Sequence, residues 1–142
     1  MQPYEYSVSF RIFHPSANPA DFTRVLKMEP RRAWRAGEPR TTPKGTPLRG
    51  SYRESYWYTD LCRVTDASEE PLEDALHRFV SQLGAHREFL LGLRNDGGRA
   101  EFYIGLNGPA SYGLELEPQL LTKVASIGLT LALEVFPVPQ SR

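Results

Sequence analysis

Strand and helix patterns alternate along this chain in the order β-α-β-α-β-(β)-α-β. That order predicts an α+β fold: a two-layer sandwich with one mainly antiparallel or mixed sheet of four to five strands and its helices packed on one face. A ferredoxin-like arrangement is compatible with it. Three observations carry the expectation. Residues 4–13 alternate with period two, residues 72–83 repeat with period 3.6, and residues 129–136 alternate again.

The first strand places Tyr4, Tyr6, Val8, Phe10 and Ile12 on one side and Glu5, Ser7, Ser9 and Arg11 on the other, ending at His14-Pro15. Asn18-Pro19 then opens a helix. Asn18 suits the N-cap, Pro19 the first helical position and Asp21 the first turn. Phe22, Val25 and Leu26 form its apolar stripe, and Pro30 closes it. Residues 35–50, rich in Gly, Pro, Thr and Arg, read as a long loop without regular structure. Residues 51–64 read as a second strand, with Tyr52, Tyr56, Trp57 and Tyr58 giving aromatics to both faces. A helix capped by Ser68 follows, with Leu72, Ala75, Leu76, Phe79, Val80 and Leu83 inward and Gly84 as its stop. Residues 85–93 suggest one more helical turn, and Asn95-Asp96-Gly97-Gly98 a tight turn. Residues 100–106 are the third strand and 112–116 a short fourth. A helix starts at Pro118 and ends at Gly128, and Leu129 to Phe136 is the last strand.

With 142 residues, the chain is expected to form one domain, 1–142. Seventeen basic residues balance seventeen acidic ones, so no global field favours nucleic acid or an anionic membrane. No apolar run approaches the roughly 18–20 residues that span a bilayer. The single cysteine, Cys62, and a start without a signal-peptide pattern point to the cytoplasm.

Catalytic and metal signatures are weak. Cys62 lies in a strand, which favours a structural thiol over a nucleophile. His14, His77 and His86 show no metal-ligand spacing. Glu115 and Glu117 share a face if extended, a pattern more typical of a solvated edge than of an acid–base pair. Lys44-Gly45-Thr46 has the letters of a phosphate loop in the wrong order. No catalytic residue, metal or cofactor is expected.

One constellation stands out. Residues 31–63 carry eight basic and three acidic side chains, a local charge of +5, interleaved with Trp34, Tyr52, Tyr56, Trp57 and Tyr58. Arginine forks clamp phosphate or carboxylate, and aromatic faces stack on planar rings. A structural alternative has the rings packing the sheet while the arginines pair with the acids at 66–74. The candidate binding residues are Arg31, Arg32, Trp34, Arg35, Tyr52, Arg53, Tyr56, Trp57 and Tyr58. The first functional reading is a non-enzymatic binding or protein-interaction domain that uses this segment, with a protein partner or a second copy seated on the uncovered sheet face near Phe13, Trp57 and Phe136. The second is a binder of a small phosphorylated ligand or nucleotide, an enzyme included, with Arg31, Arg32, Arg35 and Arg53 as the anion clamp. Nucleic acid and membrane partners are not expected.

The run from Asn18 to Leu26, then Pro30, Gly37 and Trp57 on the following strand, resembles an uncharacterised bacterial family, the domain of unknown function numbered four-two-seven-nine. The later amphipathic helix and the small-residue end Ala125-Ser126-Ile127-Gly128-Leu129 extend the likeness over nearly the whole chain. One departure is Lys27-Met28-Glu29, where the family pattern leads us to expect a glycine soon after the helix leucine. The resemblance implies the compact α+β domain and brings no activity, cofactor or catalytic residue with it.

Overall fold

In the computed structural model, which describes residues 4–136, strand β1 (Glu5–His14) lies at the centre of a five-stranded sheet. It pairs antiparallel with β5 (Ser55–Val64) on one side and β6 (Arg99–Asn107) on the other. The short edge strand β2 (Arg32–Trp34) pairs with β5, and β7 (Leu129–Val135) runs parallel to β6 at the far edge. Among the described residues the one parallel pair, β6 and β7, is adjacent, so its crossover is direct. The split β-α-β connection of a ferredoxin-like sheet is therefore replaced here.

The period-two pattern of β1 resolves as expected: Tyr6, Val8, Phe10, Ile12 and His14 are buried, while the residues between them are half-buried. The buried side faces the helices. α1 (Pro19–Leu26) starts at Asn18, whose Oδ1 accepts the Ala20 N–H at 3.1 Å. It ends at Lys27, whose N–H reaches the Thr23 carbonyl from a left-handed backbone with φ 57°. Lys27 thus occupies a conformation that glycine adopts more readily than any residue with a side chain. α2 (Leu72–Leu83) passes through a 3-10 turn at Gly84–His86 into α3 (Arg87–Asn95). α4 (Pro118–Ser126) bridges β6 and β7. Trp57, Phe10, Phe22, Phe102 and Leu76 are among the largest fully buried side chains between the two layers.

Three expectations change. Residues 35–50 are not a structureless loop: β3 (Pro39–Thr41) and β4 (Pro47–Ser51) form a separate two-stranded ribbon. Nearly all of it is exposed, so no hydrophobic alternation marked it, and its prolines and glycines read as turns. The second strand therefore begins at Ser55, beyond Tyr52. Residues 112–116 form no strand. The edge of β6 they would need is taken by β7, and Tyr112, Leu114 and Leu116 alternate because they pack on the core, with Tyr112 stacked on Tyr4 at 5.3 Å. Ser68 does not cap α2. Pro71 holds that position, and the Ser68 hydroxyl donates to Asp66 at 2.7 Å.

Candidate functional site

Every helix of the domain packs on one side of the sheet, and the register of the ladder dictates what the other side presents. Three cross-strand rows follow from it. The first runs Arg99, Phe13, Tyr56, Trp34 across β6, β1, β5 and β2. The second runs Glu101, Arg11, Tyr58, Arg32 over the same strands. The third is Tyr103, Ser9, Asp60. Aromatic and basic side chains that lie far apart in sequence thus become neighbours on one surface.

These rings touch in series. Tyr52 stacks on Trp34 at 4.1 Å, Trp34 meets Tyr56 at 4.7 Å, and Tyr56 meets Phe13 at 5.0 Å and Tyr58 at 5.6 Å. Guanidinium groups cap several of them: Arg11 lies 3.6 Å over Tyr103, Arg99 4.1 Å over Phe13 and Arg32 4.9 Å over Trp34. Such contacts combine cation–π attraction with partial desolvation of the charge.

A concavity of about 540 Å³ opens on this face, with Arg11, Arg31 and Arg32 beside Trp34, Tyr56, Tyr58 and Tyr103. Pro43, from the turn of the ribbon, forms one wall. The ribbon is fastened above the sheet by Tyr52, whose hydroxyl donates to the Thr41 carbonyl at 3.0 Å and accepts the Thr41 N–H at 3.1 Å. Arg32 donates to the same carbonyl at 2.6 Å.

Charge is unevenly compensated here. Arg31 pairs with Asp60 at 3.2 Å in solvent, and Glu101, buried, lies 3.5 Å from Arg99. Arg11 and Arg32 are half-buried, and among the described residues neither has a carboxylate partner within 4 Å. Burial pushes the Tyr56 and Tyr103 phenols up from their ordinary range; at Tyr103 the bond to Glu134 acts in the same direction. The Tyr52 phenol is drawn down by its hydrogen bond to the Thr41 backbone.

Of the residues singled out from sequence, Arg31, Arg32, Trp34, Tyr56 and Tyr58 line the concavity, and Tyr52 supports it through Trp34. Arg35 and Arg53 do not. Arg35 is exposed and its Nε donates to the Ser16 carbonyl at 3.3 Å, and Arg53 is exposed in the bend before β5. Of the four arginines expected to act together, Arg31, Arg32, Arg35 and Arg53, only Arg31 and Arg32 lie at the concavity, where Arg11 joins them. Trp57 is also corrected. It is fully buried beneath α1, packs edge-on against Phe10 at 5.9 Å and donates its indole N–H to the Thr23 hydroxyl at 3.0 Å. Its neighbours face the open side, and strand alternation sends it to the other. Arg11 and Tyr103 were missed because they lie on β1 and β6, outside the basic segment; only the strand pairing brings them in.

The remaining candidates take structural places. Cys62 is a half-buried free thiol, and burial raises its pKa, which disfavours the thiolate. The His14 ring accepts N–H bonds from Ser16 at 3.1 Å and Ala17 at 2.9 Å, closing the turn after β1. Glu115 and Glu117 line a second concavity of about 650 Å³, with Asp66, Glu73 and Asp74 on its other wall. No group of three metal-ligating side chains occurs among the described residues.

Fold and face together define a two-layer α+β domain with one helix-free, arginine- and tyrosine-rich sheet surface. The chain belongs to the family described as Domain of unknown function (DUF4279), whose model matches residues 4–135. No curated protein and no solved structure matches it. None of its helices, among the described residues, is long and apolar enough to cross a membrane.

Proposed function

We propose that this is a binding domain whose open sheet face captures an anionic partner, with Arg11, Arg31 and Arg32 as the cationic contacts. The observation that carries this reading is the pair of half-buried guanidiniums, Arg11 and Arg32, that share one concavity without a carboxylate partner. A partly desolvated cation is stabilised by a counter-charge, and the guanidinium fork matches phosphate or carboxylate oxygens. The lone free thiol of Cys62 supports a reducing, cytoplasmic setting.

The test uses Trp34 as reporter. The chain holds two tryptophans, so a Trp57→Phe background leaves only the one on the open face. Titration with pyrophosphate and with mononucleotides is expected to give a saturable change in Trp34 fluorescence. Arg11→Gln and Arg32→Gln should each weaken it by about tenfold. A flat titration, or one indifferent to both variants, overturns the reading.

A second reading is self-association through the same face. It is favoured by the enrichment of Tyr, Trp and Arg there, the composition of interface hot spots, and by the exposed Phe136, which lies by Gly105 on the same side of the sheet. Sedimentation over a wide concentration range tests it. A dimer that dissociates in Tyr58→Ala supports this alternative, and a monomer throughout removes it.

A further inference from the structure

We infer that the ligand of the open face is a free nucleoside phosphate, with its planar base on Tyr58 and its phosphate on Arg11, which flanks that ring; the inference rests on the anion-binding reading above. The rings of the concavity are not equivalent. Trp34 is covered by Tyr52 at 4.1 Å and approached by Arg32, and Tyr103 lies under Arg11 at 3.6 Å. Tyr56 is wedged among Phe13, Trp34 and Tyr58. Among the described residues Tyr58 meets one other ring, Tyr56, tilted at 5.6 Å. Its position is distinctive too. In the ladder Tyr58 is the direct cross-strand neighbour of Arg11 on one side and Arg32 on the other, so the Cα atoms of the two arginines stand about 10 Å apart with Tyr58 between them. A half-buried aromatic face flanked by two cations that, among the described residues, have no carboxylate within 4 Å matches a molecule that joins a ring to an anion.

Size narrows the class. A concavity of about 540 Å³ falls in the range of small-molecule sites and exceeds what a bare phosphate fills. A phosphate-only site would also draw on free backbone N–H groups, whereas those of a central sheet are spent in the ladder. The neutral overall charge and the wall made by Pro43 argue for a free nucleotide over a strand of nucleic acid running along the face.

The experiment compares affinities of the intact protein for the four common nucleoside monophosphates, their nucleosides, ribose 5-phosphate and a pentanucleotide, followed by calorimetry and by Trp34 fluorescence. Expected is a monophosphate that binds about tenfold or more tightly than its nucleoside and than ribose 5-phosphate. Tyr58→Leu should abolish the advantage over ribose 5-phosphate while phosphate binding persists, and Arg11→Gln should weaken every phosphate. Circular dichroism and the melting temperature establish that the variants are folded. If ribose 5-phosphate binds as tightly as the monophosphates, the nucleoside assignment falls and the anion reading stands. If none of the panel binds, both fall. If the pentanucleotide binds far more tightly, with a steep salt dependence, the ligand is nucleic acid and the free-nucleotide inference is overturned.

Discussion

The two faces of the sheet are written by the same strands, on alternate residues, and they obey different rules. The covered face is Val8, Phe10, Ile12, Trp57, Phe102 and Ile104, each at 0% exposure. The open face is Arg11, Phe13, Tyr56, Tyr58, Tyr103 and Arg32, all half-buried. On the first, shape and burial set stability, and a lost group leaves a void. On the second, rings and guanidiniums pack on each other in partial contact with water, so truncation leaves solvent where the side chain stood. Two adjacent residues of one strand, Trp57 and Tyr58, stand on opposite sides of this division.

That division can be broken by experiment, and the largest effect is expected at Trp57. Trp57→Ala should cost about 3–5 kcal/mol, lowering the melting temperature by roughly 10–20 °C in a calorimetric scan. Tyr58→Ala should stay within about 1 kcal/mol. Equal losses at the two positions would erase the distinction between the faces.

Alkaline titration tests the covered face next. The buried Tyr6 phenol is pushed well above its ordinary value of 10.0, first by burial, and its hydroxyl donates to the Glu70 carbonyl at 2.6 Å. The folded state therefore keeps a proton that the unfolded chain has lost. Stability is intact below pH 10 and falls as pH rises beyond it, by about 1.4 kcal/mol per pH unit for this group. Denaturant melts between pH 8 and 11.5 should show the decline, and Tyr6→Phe should make it shallower, the raised Tyr56 and Tyr103 keeping their share, while lowering stability at neutral pH by about 1 kcal/mol.

A smaller change probes the indole partner. Thr23→Val leaves the Trp57 N–H buried without an acceptor and should cost about 1–2 kcal/mol in urea unfolding, with the open face unaffected. The smallest expected effect lies outside both faces. Lys27→Gly relieves the left-handed backbone at the end of α1 and should stabilise by up to about 1 kcal/mol.

The covered face was the legible one. A repeat of apolar residues every two or 3.6 positions is a local signal, so β1, α1, α2, α4 and β7 could be read along the chain within a residue or a few of their ends. The open face was half legible. Arg31, Arg32, Trp34, Tyr56 and Tyr58 stood out as a basic and aromatic cluster, but Trp57 was drawn in with them because composition does not tell one side of a strand from the other. Arg11 and Tyr103 enter the site through pairing of residues about 50 to 90 positions apart, which no local pattern records. The ribbon of β3 and β4 was hidden for the converse reason. It buries almost nothing, so it is held by hydrogen bonds from Tyr52 and Arg32 rather than by a periodic apolar face.

The pairing of β1 with β5 contains one irregularity between Val8 and Ser9, where Ser9 lies opposite Asp60 but Val8 lies opposite Cys62, leaving Leu61 without a counterpart. A strand has parity, and this spare residue reverses it. Before the bulge the odd-numbered residues of β5 turn toward the helices, Ser55, Trp57 and Thr59 among them; after it the even-numbered Cys62 and Val64 do. Were Leu61 paired in a regular ladder instead of bulged out, Arg63 would turn inward and Val64 outward, or else Tyr56 and Tyr58 would trade places with Trp57. Leu61 therefore acts as punctuation in the strand: its deletion would leave a regular ladder with every other side chain on the side it already occupies, whereas inserting or deleting one residue elsewhere in β5 would exchange the two sides of a whole segment.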